Sequence, residues 1–289
     1  MRIKIYYTAT APVSHIGETA STGSFFNTIK TSAGKLPVIS GNSIRGTLRD
    51  CLATHLLNRL NVKVEKEIFN VLYSGGNITG GVKNDVARAK AVRECFPSVS
   101  LLGAGLGTMI MSGKLMSGFV YPVCKESQDI TGEDSEISWH DLIEEIEFTR
   151  FDDTKNDKLI SGITDIDAEK KAKASTQMRF SVQYMAAGTE FVQELILQDE
   201  TELECGALYT GLAEWFKTPC LGGMSARGFG MFKANVINDN TGEIVIGLDE
   251  HRNIDIASEV QELINQYNDF LDKNALEDKL KLLSVGKEK

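Results

Sequence analysis

No stretch of the 289-residue chain is apolar for long enough to span a bilayer, and the first residues open on a strand pattern with no signal-peptide core. A cytoplasmic protein with no membrane partner is expected. Cysteine is sparse and scattered: Cys51, Cys95, Cys124, Cys205 and Cys220 form no CxxC pair and are odd in number, which argues against a disulfide framework and a zinc knuckle. The glycines at 103, 105 and 107 have no βαβ unit of the right length around them, so they are not a dinucleotide fingerprint, and neither cofactor nor metal is expected. No segment repeats.

What is present is ordinary globular material. An apolar fraction of 42% and a charged fraction of 25% suffice for a substantial core. The net charge of −9 speaks against a nucleic-acid partner, but it is unevenly spread: 15 basic against 6 acidic residues up to Lys125, and 16 against 34 beyond it. The first half has room for a phosphate-binding face. The plainer reading is that the asymmetry only aids solubility.

Along the chain, residues 1–10 alternate Ile3, Ile5 and Tyr7 against Arg2, Lys4 and Tyr6, the period of a half-buried strand. Residues 11–35 are rich in Ser, Thr and Gly and read as a long loop. A helix over 44–60 puts Leu48, Leu52, Leu56 and Leu60 on one stripe. Helical patterns follow at 62–74 and 85–95, then a strand at 114–124. Residues 126–175 are acidic and poor in large apolar groups, an inserted arm; within them Asp152 and Asp153 read as a turn in preference to a metal site. Residues 177–197 alternate around a Gly188 turn as a hairpin or a bulged long strand. A helix over 202–217, a glycine-rich loop, a strand over 229–237 and an amphipathic helix over 256–283 packed on the sheet complete the chain. Without its excursions the order is βαββαβ, an α+β ferredoxin-like or RRM-type layer.

Two stretches carry chemistry. In LPVISGNSIRGTLR (36–49) an extended arm is delivered onto a helix start: Asn42 and Ser43 suit the N-cap, Gly41 permits a positive φ, and Arg45 and Arg49 share a helix face. Free N–H groups, a positive helix end and two guanidiniums make an anion site, or, more plainly, a capped surface helix with solvated arginines. In LGGMSARGFGMFKANVI (221–237), Gly222, Gly223, Ser225, Arg227 and Gly228 would let backbone amides close on a polyanion as a nest does, unless they only make a tight turn.

These stretches resemble the PxIPGSSLKGxLR segment and the GGxxxxGxG loop of the RAMP (repeat-associated mysterious protein) superfamily of CRISPR effector proteins. SVQYMAAGTEFVQELIL and the opening Ser14-His15-Ile16-Gly17 are similar to further family features. The layout looks like the backbone subunit that polymerises along a guide RNA in Cascade-like complexes of antiviral defence. The resemblance implies an RRM-like palm over 1–60, 98–125 and 176–289, an inserted finger-like helical region over 61–97 and a thumb over 126–175. It further implies RNA contacts by His15, Ser40, Asn42, Ser43, Arg45, Arg49, Gly222, Gly223, Ser225, Arg227 and Gly228. The implied partners are the crRNA, head-to-tail copies of the chain, other effector subunits and a target DNA or RNA paired to the guide.

RNA-cleaving members of the superfamily carry an aspartate in the loop before the palm motif. Here no acidic residue occurs between Glu18 and Asp50, so a metal would have no anchor there. A binding subunit without nuclease activity is expected, and the wording ISGNSIRG points to type IV. The alternative is a metal-independent RNA-processing endonuclease of the same superfamily, using His15 or His55 as general acid or base. A third reading is an unrelated RRM-like interaction domain.

Overall fold

The computed structural model describes residues 1–20, 23–78, 85–107, 109–150 and 178–284. The chain opens with β1 (Arg2–Ala9), followed by β2 (Ile16–Ala20), β3 (Gly23–Phe26), β4 (Thr28–Thr31) and β5 (Gly34–Pro37). Helix α1 (Gly41–Leu60) comes next, then α2 (Lys66–Ser74), β6 (Gly76–Ile78), α3 (Val86–Cys95), α4 (Pro97–Leu102), β7 (Ala104–Gly107) and β8 (Met109–Met111). Short strands β9 (Leu115–Ser117) and β10 (Tyr121–Pro122) lead, through helical turns, to β11 (Ile143–Arg150). The remainder is β12 (Met178–Met185), β13 (Glu190–Leu197), α5 (Glu202–Lys217), β14 (Phe232–Asn238), β15 (Ile244–Leu248), β16 (Ile254–Ile256) and α6 (Ser258–Lys273).

The main sheet runs β10-β13-β1-β14-β15-β16, with β9 also on β13, and each of its pairings is antiparallel. Its first four strands have the ferredoxin-like order, with α1 and α5 as the two crossover helices. β1 alternates as its sequence demands: Ile3, Ile5, Tyr7 and Ala9 are buried. They meet the α1 stripe of Ile44, Leu48, Leu52 and Leu56 and the α5 residues Leu208, Leu212 and Trp215 in one core. Tyr7, Trp215 and Phe232 form an aromatic knot, with the Phe232 ring centroid 5.2 Å from Tyr7 and 5.3 Å from Trp215 in edge-on geometry. The buried Tyr7 hydroxyl donates to Gln193 Oε1 at 2.8 Å, and Gln193 Nε2 donates in turn to the Gly118 carbonyl at 3.0 Å.

A second sheet, β11-β12-β3-β2, stands beside the first; β12 pairs antiparallel with β11 and parallel with β3. Residues 177–197 are therefore not a hairpin. β12 and β13 part at the Gly188 turn and enter different sheets, because β12 finds its partner in β11 and β13 finds its own in β1. The expected loop over 11–35 holds four short strands whose Ser, Thr and Gly content hides their alternation. The strand expected over 114–124 breaks into β9 and β10 around Gly118, and β15 and β16 extend the sheet where the sequence showed no pattern. α6 packs on α5 and α1, not on the sheet, with Gly206 letting α5 approach the Leu263 carbonyl. Asp152, Asp153 and Lys83 lie outside the described residues.

The start of α1 differs in two ways from the expected cap. Ser40, not Asn42 or Ser43, is the N-cap, its hydroxyl accepting the Ser43 N–H at 3.3 Å. Gly41 is not needed for a positive φ. It is needed because a Cβ there would lie 2.2 Å from the Ser117 carbonyl oxygen, so the helix start is pressed against β9. Gly41→Ala should therefore cost about 1–3 kcal/mol, the usual cost of overpacking a tight site. Urea denaturation reads this directly, and an unchanged midpoint would contradict the close approach.

Candidate nucleic-acid interface

Residues 13–15 tie four parts of the molecule together. Val13 exchanges backbone hydrogen bonds with Met185 at the end of β12, at 2.9 and 2.7 Å. The Ser14 carbonyl accepts the Gly223 N–H at 2.7 Å, which fastens the glycine-rich loop. The His15 carbonyl accepts the Asn27 N–H at 2.7 Å, and Asn27 accepts the Val38 N–H at 2.9 Å, which fixes the base of the β4–β5 hairpin. His15 Nε2 accepts the Ser40 N–H at 3.2 Å, at the start of α1. The two motifs are far apart in sequence and are joined here through two adjacent residues.

His15 must be neutral at Nε2 to accept that hydrogen bond. Its ring lies edge-on to the buried Phe26, and burial lowers its pKa below the ordinary histidine value. The glycine-rich loop runs from Leu221 to Gly230, closed by a Leu221 N–H to Gly230 carbonyl bond of 2.8 Å. Gly222, at φ +80°, is obligatory: a Cβ there would lie 2.3 Å from the Ser14 carbonyl oxygen. Gly223, Arg227, Gly228 and Gly230 each donate their N–H to a carbonyl oxygen of the chain. Ser225 and Arg227 are exposed, and the Arg227 guanidinium lies 5.4 Å from the Phe148 ring centroid and 5.2 Å from that of Phe180. Those rings, opposite each other on β11 and β12, stack at 5.3 Å.

Arg45 and Arg49 do not project into solvent. Arg45 donates to the carbonyls of Leu115 and Leu102, the latter at 2.6 Å. Arg49 donates to the carbonyls of Leu102 and Gly103, both at 3.0 Å. Burial lowers the pKa of both, and the Arg45 charge lowers that of Arg49 further. Both forks thus close the end of α4, while Asn42 is exposed and Ser43 half-buried beside Ser40. The arginines of α3 behave alike: Arg88 bonds the carbonyls of Leu282 and Ser284, and Arg93 those of Ser100 and Ser112. His55 belongs elsewhere, held between Glu214 and Asn268 at 3.1 and 2.8 Å and stacked on Tyr267. It lies fifteen residues beyond Ser40, roughly 20 Å along the helix, so the two histidines do not share a site.

The outer face of the sheet is not bare either. The Tyr6 hydroxyl donates to Glu133 Oε1 at 2.6 Å, and burial together with that bond raises its pKa to about 12. An acidic segment thus rests where an RRM-type sheet would present an aromatic ring.

A family model, that of the RAMP superfamily, matches residues 6–233, a span that takes in every residue from His15 to Gly228 discussed above. The chain belongs to the RAMP superfamily. Among solved structures it is similar in fold to a chain of a "Type IV-B CRISPR Complex", with a TM-score of 0.59 and 18% identity, covering 83% of this chain and 91% of the other. A search of curated proteins finds no match.

Of the expected site residues in this RAMP chain, His15, Ser40, Gly222 and Gly223 meet around residues 14–15. Ser225, Arg227 and Gly228 lie on the exposed loop beside them, and Arg45 and Arg49 turn inward. The sequence reading missed Phe148 and Phe180, for which the only signal was an aromatic on an alternating strand. No helix among the described residues is long and apolar enough to cross a membrane.

Two outcomes follow for the site. Arg45→Ala takes the guanidinium donor from the Leu115 carbonyl and leaves that of Leu102 to Arg49 alone, and should cost about 1–3 kcal/mol of stability, the usual cost of a buried group left unsatisfied; an arginine serving only RNA would leave the RNA-free denaturation curve unchanged. His15 is depressed in the folded state, so below about pH 6.5 the unfolded chain binds the extra proton and stability falls as pH drops towards the folded pKa. His15→Gln should remove that part of the pH dependence of Tm between pH 7 and 5.

Proposed function

We propose that this chain is a guide-RNA-binding backbone subunit of a CRISPR interference complex, assembling head to tail along the RNA and holding the strand without cutting it. The observation that carries the reading is the joining of the palm-helix start and the glycine-rich loop on Ser14 and His15. Beside this junction Arg227 lies over a stacked pair of aromatic rings. Single strands are held by just this pairing of cationic groups with flat π surfaces. Membership of the RAMP superfamily and the fold likeness to a chain of a type IV-B complex support it, and favour type IV. In this reading residues 61–97 are the finger-like region, 126–175 the thumb, and the rest the palm, with other effector subunits and a target strand as further partners.

The absence of a carboxylate between Glu18 and Asp50 supports a holding role, because a cleaving metal would lack its ligand there. So does the use of His15 Nε2 as an acceptor for Ser40, which engages the ring nitrogen that an acid–base role would draw on.

The test is filter binding of single-stranded RNA across a salt series, with size exclusion of the protein co-expressed with its repeat RNA. Tight, salt-dependent binding and a large nucleoprotein peak with a high 260/280 nm absorbance ratio are expected. Arg227→Ala should weaken binding roughly 10- to 100-fold whatever the RNA sequence, as the loss of about 1–3 kcal/mol of stacking and charge predicts. No affinity at low salt would refute the reading.

A further inference from the structure

The β4–β5 hairpin carries a feature that the site described above does not use. Its register sets Lys30 directly opposite Lys35, with Thr28 opposite Pro37, Ile29 opposite Leu36 and Thr31 opposite Gly34. Directly opposed residues on a hairpin have their Cβ atoms about 4.5–5.5 Å apart, where like charges repel. Both lysines are exposed, and among the described residues neither ammonium group has an ion pair or hydrogen bond. Other lysines of the chain are placed differently: Lys90, Lys114, Lys217 and Lys273 each pair with a carboxylate.

The repulsion cannot be relieved by swinging the hairpin away. Leu36 and Val38 are buried with Cys124 in a small cluster that also takes Ile29, Tyr121 and Trp139. Alternation along the strands puts Ile29 and Leu36 on the docked face and Lys30 and Lys35 on the other. At its base Asn27 is bonded to His15 and to Val38, so the hairpin rises from the junction that joins the two motifs. Two lysine stems thus start side by side on the outward face, each three residues from Asn27 or Val38 at the hairpin base.

We infer that Lys30 and Lys35 form a phosphate clamp, a further contact site for the phosphodiester backbone of single-stranded RNA. A phosphodiester placed between the ammonium groups neutralises both and turns a destabilising pair into a binding one. The inference rests on the RNA-binding reading above and adds to it a site that neither motif contains.

The experiment compares the wild type, the double variant Lys30→Gln/Lys35→Gln, and a control Lys63→Gln/Lys66→Gln that removes two exposed lysines elsewhere. The log–log salt dependence of single-stranded RNA binding is measured for each. The double variant should lower the slope by about 1.4, at about 0.7 per phosphate contact on a single strand, while the control leaves it unchanged. RNA-free, the double variant should melt no lower than the wild type, since the substitutions remove a repulsion. A wild type that binds RNA with a slope the double variant does not change, or that the control lowers equally, overturns this inference alone. A wild type without affinity overturns the RNA-binding reading with it. Loss of self-association in the RNA-free double variant with an unchanged RNA slope would overturn it in favour of an acidic protein surface.

Discussion

The hydrogen bond from the Ser40 N–H to His15 Nε2 fixes the geometry on which the interface depends. A helix start leaves its first N–H groups unsatisfied, and here a ring delivered from a loop takes the one at the N-cap residue itself. That bond works only with a neutral imidazole, and burial of the ring shifts His15 towards that form. Because Ser14, the preceding residue, is bonded to Gly223, the helix start and the glycine-rich loop are held a residue apart along one backbone. Gly41 and Gly222 are the steric counterparts of this bond: each lets one backbone press on another's carbonyl, at Ser117 and Ser14, where a Cβ would not fit.

Arginine use explains why the basic residues of the first half need not make a phosphate-binding face. A short helix such as α4 ends in carbonyls that have no partner of their own, and a planar guanidinium can satisfy two at once. Arg45 and Arg49 share the Leu102 carbonyl and take Leu115 and Gly103 besides, so α1 and α4 are bolted together through charge-assisted hydrogen bonds. Arg88 closes the helical turns over 276–283 in the same way. The spacing of arginines on one helix face is therefore ambiguous: it suits a phosphate and a row of carbonyls equally well, and only the neighbouring element decides between them.

What was legible follows the range of the interaction. The α1 stripe, the alternation of β1 and the boundaries of α5 rest on local periodicity and were readable. The ferredoxin-like order followed from them. The N-cap fell two residues before the expected position because Ser40, Asn42 and Ser43 are all competent caps, and the close packing of Gly41 on β9 selects the first. The β4–β5 hairpin was hidden by its Thr, Ser and Gly residues, and with it the opposition of Lys30 and Lys35, which exists only once a register is known. Phe148 and Phe180 meet across a long insertion, and Arg227 reaches them from a third segment. No window of sequence contains all three. The separation of β12 from β13 was lost for the same reason, since a turn between two alternating strands reads as a hairpin unless each strand has a better partner elsewhere.

On the proposed reading, a chain of net charge −9 holds a polyanion against its own average field. β11 alone brings Glu144, Glu145 and Glu147 close to the aromatic pair under Arg227. Diffuse attraction is therefore weak, and affinity must come from a few cations fixed in place and from contacts that do not depend on charge. Arg227 meets both requirements in that reading: its guanidinium bridges the Phe148 and Phe180 rings, 5.4 and 5.2 Å from their centroids, and so sets a cation beside a π surface on which a base can rest. The surrounding carboxylates repel a strand that lies anywhere else. On that reading they penalise every misplaced phosphate, so acidity that lowers overall affinity would also restrict a bound RNA to the path along which the fixed cations stand.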